Sequence, residues 1–69
     1  MDLLTYIADT ARRRALATAV NSSPDYLWQV ATGRRKASTD LAKAIDIATG
    51  GEVSRASLRS DVWDEPAAA

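Results

Sequence analysis

Apolar residues recur along this chain at helical spacing and are interrupted at short intervals by polar clusters. Leu3, Leu4, Ile7, Ala8 and Ala11 fall on one face at that spacing, which predicts a first helix over about residues 2–9. Thr10 is placed to cap a second helix running to about Val20, with Leu16, Ala17 and Val20 inward. No glycine or proline separates the two, so one continuous helix from 3 to 20 is the alternative. Asn21 stops the run, because asparagine tolerates the left-handed backbone of a helix C-terminus. Ser23 then N-caps a third helix, and Pro24 takes its first position, where a missing N–H costs nothing. That helix extends to Thr32 and closes at Gly33. A fourth starts at Ser38 or Thr39, with Asp40 complementing the N-terminal dipole. Leu41, Ile45 and Ala48, with Ala44 alongside, form its inner face, and Gly50 and Gly51 end it. "EVSRASLR" adds one further turn that packs Val53 and Leu58, and Val62 and Trp63 dock back from the final stretch.

The pattern is that of a compact all-α chain of four to five helices, with no strand-like alternation and no internal repeat. Its 69 residues make one domain over 1–63, with a helix-turn-helix at about 12–33, its second helix at about 23–32, and a flexible tail at 64–69.

Composition removes several function classes. Cysteine and histidine are both absent, which excludes disulfides and removes the commonest metal ligand and general base. The carboxylates and hydroxyls that remain are scattered, so the reading is of a protein that is not an enzyme and needs no metal or cofactor. No apolar run approaches the roughly 20 residues that span a bilayer, and the start lacks the basic region of a secretory signal. A cytoplasmic protein without membrane partners is the expectation. The formal charge is zero, but its distribution is uneven. Residues 12–43 hold Arg12, Arg13, Arg14, Arg34, Arg35, Lys36 and Lys43 against Asp25 and Asp40. Asp2, Asp9, Asp61, Asp64 and Glu65 lie towards the two ends.

The third helix carries the candidate chemistry. At about 100° per residue, Leu27 inward brings Val30 and Ala31 beside it. Asp25 and Gln29 then point away, Thr32 lies near them, and Trp28 and Tyr26 sit on the flanks. Two helices joined by a short turn, the second with such a face, are what readers of the DNA major groove use. Glutamine pairs bidentately with adenine there, aspartate accepts from cytosine, and threonine meets either a polar edge or the thymine methyl. Ser23, Asp25, Trp28, Gln29 and Thr32 are therefore the candidate base readers. An acid in the first helical turn also has a plain dipole role for Asp25, and helix packing is the alternative for Trp28. Tyr26 offers a hydroxyl to phosphate. Tyr6 and Trp63 suit either a core edge or a dimer contact.

Arg12, Arg13 and Arg14 begin the second helix, where the dipole disfavours cations by roughly 0.3–1 kcal/mol each. A sequence tuned for stability alone places acids there, and such conflicts accompany function. The first helix of a helix-turn-helix crosses the phosphate backbone, which offsets that penalty. Arg34 and Arg35 follow a helix C-terminus, where cations are favourable in any case. A solvated face is the competing reading for each of these.

"ALATAVNSSPDYLWQVATGRR" resembles the helix-turn-helix of the Cro-like, YdaS-type bacterial and phage repressors, through Leu16, Ala17, Ser23, Leu27, Gln29, Gly33, Arg34 and Arg35. "AKAIDIATGGEVSRASLRSDVW" extends the resemblance, so that it spans most of residues 12–63. Asn21 and Ser22 depart from the glycine and apolar residue usual in that turn, and Pro24 and Asp25 make the next helix individual. The resemblance implies a lambda-repressor-like (Cro-type) fold and a sequence-specific binder of double-stranded DNA acting as a repressor. The small size of one module predicts a homodimer on a palindromic operator, and the lack of a heptad seam predicts that it forms mainly on DNA; a bacterial cell or a phage genome is the expected source. Arg13 comes nearest a phosphate by this match, with Arg14, Tyr26, Arg34, Arg35 and Lys36 as further backbone contacts. An antitoxin-like protein-interaction module with a toxin partner is the second reading, and an activator touching polymerase is the third.

Overall fold

Five side-chain caps start the five helices of the described residues. The computed structural model describes residues 1–63, and the expected flexible tail at 64–69 lies outside them. The helices are α1 (Leu3–Ile7), α2 (Thr10–Ala19), α3 (Pro24–Ala31), α4 (Thr39–Ala48) and α5 (Arg55–Leu58), and there is no strand among the described residues. Asp2 accepts from the Thr5 N–H at 2.7 Å and Asp9 from the Ala11 N–H at 2.9 Å. Ser23, Ser38 and Ser54 accept from Tyr26, Leu41 and Ser57, each at 3.1 Å. Each bond satisfies one backbone donor that a helix start leaves unpaired. The cap of α2 is thus Asp9 rather than Thr10, which becomes the first helical residue. A carboxylate serves both the free N–H group and the positive end of the helix dipole, and so wins over the hydroxyl beside it.

The same Asp9 is extended (φ −76°, ψ 122°), which rules out one helix from 3 to 20. It also limits α1 to five residues, so only Leu3 and Ile7 reach the core. Leu4, Ala8 and Ala11, expected inward, are exposed, because a helix this short presents a single i, i+4 pair to its neighbours.

Three helices end by one device. Asn21 (φ 55°), Gly33 (φ 83°) and Gly50 (φ 63°) hold the left-handed backbone that follows a helix C-cap. After α2, Ser22 donates to the Ala17 carbonyl at 2.8 Å and Asn21 to Thr18 at 3.2 Å. After α3, Arg34 donates to Gln29 at 2.9 Å and Gly33 to Val30 at 3.2 Å. After α4, Gly51 donates to Asp46 at 2.9 Å and Gly50 to Ile47 at 3.2 Å. These paired bonds are the Schellman closure, which satisfies the last carbonyls and turns the chain sharply.

Leu3, Ile7, Leu16, Ala17, Leu27, Ile45 and Val53 form the core, with Tyr6, Val20, Val30, Ala31, Leu41 and Leu58 packed around it. α1 packs on both α2 and α3, α2 also on α3 and α4, and α4 on α5. On α4 the inner row is Ala42, Ile45 and Thr49, while Ala48 is exposed. A buried threonine takes the inward place because its hydroxyl joins two segments. Its Oγ1 donates to the Ile45 carbonyl at 2.8 Å and accepts from the Val53 N–H at 3.1 Å. Of the two residues expected to dock back, Val62 is exposed and Trp63 is half-buried. The Arg55 guanidinium lies 5.7 Å from the centre of the Trp63 ring.

Candidate nucleic-acid interface

α2, the turn 20–23 and α3 form the helix-turn-helix. The turn is rigid for local reasons: Asn21 closes α2, and Ser23 with Pro24 opens α3 two residues later. Leu27 is fully buried and holds α3 against the core, with Val30 and Ala31 half-buried beside it. That anchoring leaves Asp25 and Thr32 exposed and Gln29 half-exposed, in a row along the opposite side.

The polar groups of this row are already partly engaged. Gln29 Oε1 accepts from Arg35 Nε at 3.1 Å, so its amide nitrogen remains the free donor. Thr32 Oγ1 donates to the Trp28 carbonyl at 2.9 Å, which leaves the hydroxyl oxygen able to accept. Ser23 Oγ is the N-cap acceptor, and its own proton stays available. Tyr26 is half-buried and Trp28 is 43% exposed.

The basic residues divide into two groups with different surroundings. On α2, Arg12 lies 5.2 Å from the Tyr6 ring centre, and Arg14 is exposed. Arg13, expected nearest a phosphate, has partners within the chain. It is half-buried, its Nε donates to the Ile7 carbonyl at 3.0 Å, and its guanidinium stacks 5.3 Å from the Trp28 ring centre. The α1 terminus leaves that carbonyl without a helical partner, and Arg13 fills the vacancy.

After α3, Arg34, Arg35 and Lys36 form an exposed strip. Lys36 Nζ sits 3.1 Å from Asp61. Asp61 is itself gripped by Arg59 through Nε at 3.0 Å and Nη2 at 2.9 Å, while Arg59 Nη1 donates to the Ala37 carbonyl at 2.9 Å. Hydrogen bonds from Arg59, and secondarily from Lys36, hold the Asp61 carboxyl well below the usual carboxylate range. The same pair pushes the Arg59 guanidinium up, chiefly through its bond to Asp61. Arg59 thus fastens the strip to the C-terminal segment. Sequence reasoning missed it, because Ala37 and Arg59 are 22 positions apart and a carbonyl partner leaves no trace in composition.

Among the described residues, Arg12, Arg13, Arg14, Arg34, Arg35 and Lys43 have no carboxylate within ion-pair distance. Lys36, Arg55 and Arg59 do, the last two in the C-terminal part. The unpaired positive charge therefore gathers on α2, the strip after α3, and α4. Among the same residues no group of three or more carboxylates could hold a metal ion, and no helix is long and apolar enough to cross a membrane.

Residues 7–67 match the family described as "Bacterial toxin YdaS". The chain is also 42% identical over 48 residues to the "Prophage transcriptional regulatory protein" of Escherichia coli (strain K12), an alignment covering 70% of this chain and 73% of that one. No solved structure matches the chain.

Proposed function

We propose, for a chain that belongs to the family described as bacterial toxin YdaS, a sequence-specific double-stranded DNA-binding regulator that acts as a transcriptional repressor. The observation that carries the reading is the row Asp25, Gln29 and Thr32, held clear of the core on a helix whose two ends are locked. α3 enters the major groove, which admits one helix, and its row meets base edges. The Gln29 amide donates to adenine N7, and Asp25 accepts from cytosine. Arg14, Arg34 and Arg35 meet phosphates, and Lys36 joins them by exchanging Asp61 for a phosphate oxygen. One module of this size covers few base pairs, so two copies act on a palindromic operator. Occupancy of that operator blocks polymerase. The similarity to a prophage transcriptional regulatory protein supports this reading.

A second reading, a module that binds a toxin or polymerase partner, has one observation in its favour. A groove of about 520 Å³ opens between α1, the end of α3 and α5, with Leu4, Val30 and Leu58 on its walls. One experiment separates the two. A randomised duplex pool is titrated by fluorescence anisotropy, and the bound fraction is sequenced. The DNA reading expects one enriched palindrome, and Gln29→Ala loses about 1–3 kcal/mol of discrimination at a single base pair. Arg34→Gln weakens all sequences alike and lowers the salt slope by about 0.9. An unenriched pool with salt-insensitive, weak binding refutes the DNA reading and directs attention to the groove.

A further inference from the structure

Arg13, Ile7 and Trp28 meet at the junction of three helices. Trp28 is a large apolar side chain on the helix proposed to read DNA, and it remains 43% exposed. Yet it is not loose. The Arg13 guanidinium lies 5.3 Å from its ring centre, within the range of a cation–π contact. Arg13 in turn is fixed by the bond from its Nε to the Ile7 carbonyl. The indole is thus braced from α2 and α1 while much of its surface stays open. On the helix wheel Trp28 follows Leu27 by about 100°, which sets it beside Thr32 and Asp25 at the edge of the outward row. Thr32, exposed at the same edge, donates its hydroxyl proton to the Trp28 carbonyl.

An exposed apolar surface, braced from one side at the rim of a polar row, suits one feature of the major groove. The thymine C5-methyl is the apolar group that base pairs present there. We propose that Trp28 is a specificity-determining residue that packs on a thymine methyl, and that Arg13 is a positioning residue which fixes the indole for that contact. The inference rests on the DNA reading above and deepens it. It also gives Arg13 a role different from neutralising a phosphate, and the two roles leave different signatures. A phosphate contact contributes to the salt dependence of binding at every sequence. A positioning residue alters discrimination at one base pair and leaves the salt slope intact.

The test uses the full chain and the duplex most enriched from the randomised pool, with each thymine replaced in turn by deoxyuridine. Deoxyuridine keeps the hydrogen-bonding edge and lacks only the methyl. Wild type is expected to bind about fourfold more weakly when one particular thymine in each half-site is replaced, the effect of one buried methyl-sized group. Trp28→Ala and Trp28→Leu bind thymine and deoxyuridine duplexes at that position equally or nearly so. Arg13→Gln loses the same discrimination with an unchanged salt slope, and Arg13→Lys, which keeps a cation near the ring, retains part of it. Near-UV circular dichroism of the indoles reports the loosened ring in Arg13→Gln, and far-UV spectra confirm that each variant keeps its helices.

Uniform tolerance of deoxyuridine by a wild-type protein that still selects one duplex overturns the inference while leaving the DNA reading standing. Retained discrimination in Arg13→Gln, or a salt slope lowered by about 0.9, overturns the role of Arg13. Failure of wild type to select any duplex refutes the DNA reading itself, and the inference falls with it.

Discussion

Single residues decide the shape of the motif through their backbone preferences. Asn21 holds φ 55° without being glycine, in a region that costs most L-residues roughly 1–2 kcal/mol. Asn21→Val is accordingly expected to lose about 1–2 kcal/mol, and Asn21→Gly to match or exceed wild type, both read from thermal unfolding by circular dichroism. A midpoint for Asn21→Val within a degree of wild type would show that the turn relaxes without strain. Residue chemistry of this local kind was legible from the sequence. The stop at Asn21, the Ser23 cap, Pro24 at the first helical position and the closures at Gly33 and Gly50 all depend on groups within a few positions of each other. The side-chain pairs were not legible. Gln29 with Arg35, Arg13 with Trp28 and Lys36 with Asp61 form because a folded backbone brings them together. A helix wheel has no means of showing that a glutamine assigned to a base already meets an arginine six residues on.

At the scale of elements, a few hydrogen bonds at the ends govern short helices more than their sequence propensity does, because isolated helices of this length are unstable. Ser23→Ala removes the bond to the Tyr26 N–H and is expected to lower stability by about 1 kcal/mol. That shifts the melting midpoint by about 4–8 °C, and a shift under 1 °C would mean water caps α3 equally well. Where two capping groups compete, as with Asp9 and Thr10, sequence alone chose the wrong one. The competition turns on charge and dipole as well as hydrogen bonding. α4 shows the same limit, since a strict apolar reading put Ala48 inward and left out Thr49. Asp61, between Arg59 and Lys36, ties the C-terminal segment to the strip after α3. Its depressed pKa means that the ionised carboxylate favours the folded state. That contribution is complete above the ordinary carboxylate range near about 4 and declines as pH falls towards the folded value. Melting midpoints measured downward from pH 5 are expected to fall, and to fall less steeply in Asp61→Asn. Parallel curves for the two proteins would remove Asp61 from the account. Asp46 and Asp2 have lowered pKa values as well, so the variant keeps part of the acid sensitivity.

For the whole molecule, stability rests on a small apolar cluster with Leu27 and Ile45 fully buried in it. A domain of this length holds together with about 3–10 kcal/mol in total. Leu27→Ala is expected to remove about 2–5 kcal/mol of that, leaving a substantial unfolded fraction at 37 °C in a urea titration. Retention of the wild-type midpoint would place the weight of the core elsewhere. The same residue anchors the proposed reading helix, so its truncation is a test of folding and not of recognition. The all-α class and the order of helices followed from periodicity, because each apolar stripe maps onto one helix face. Packing partners did not follow: nothing in the stripes says that five-residue α1 rests on both α2 and α3. Formal neutrality conceals the arrangement of charge: Asp46 and Asp61 pair with Arg55, Arg59 and Lys36, while Arg12, Arg13, Arg14, Arg34, Arg35 and Lys43 have no carboxylate partner among the described residues.

The strip Gly33–Lys36 has a consequence for the lifetime of the protein. It is exposed, non-helical, and places Arg34, Arg35 and Lys36 in succession, which is the substrate of a trypsin-like protease. Limited trypsin digestion is expected to cut there first, separating α1–α3 from α4–α5, and a saturating duplex slows that cut if the strip lies on phosphate. On the proposed function, the residues offered to phosphate would then also be the point of attack for a protease. Under the proposed function, duplex and protease would compete for the same three side chains.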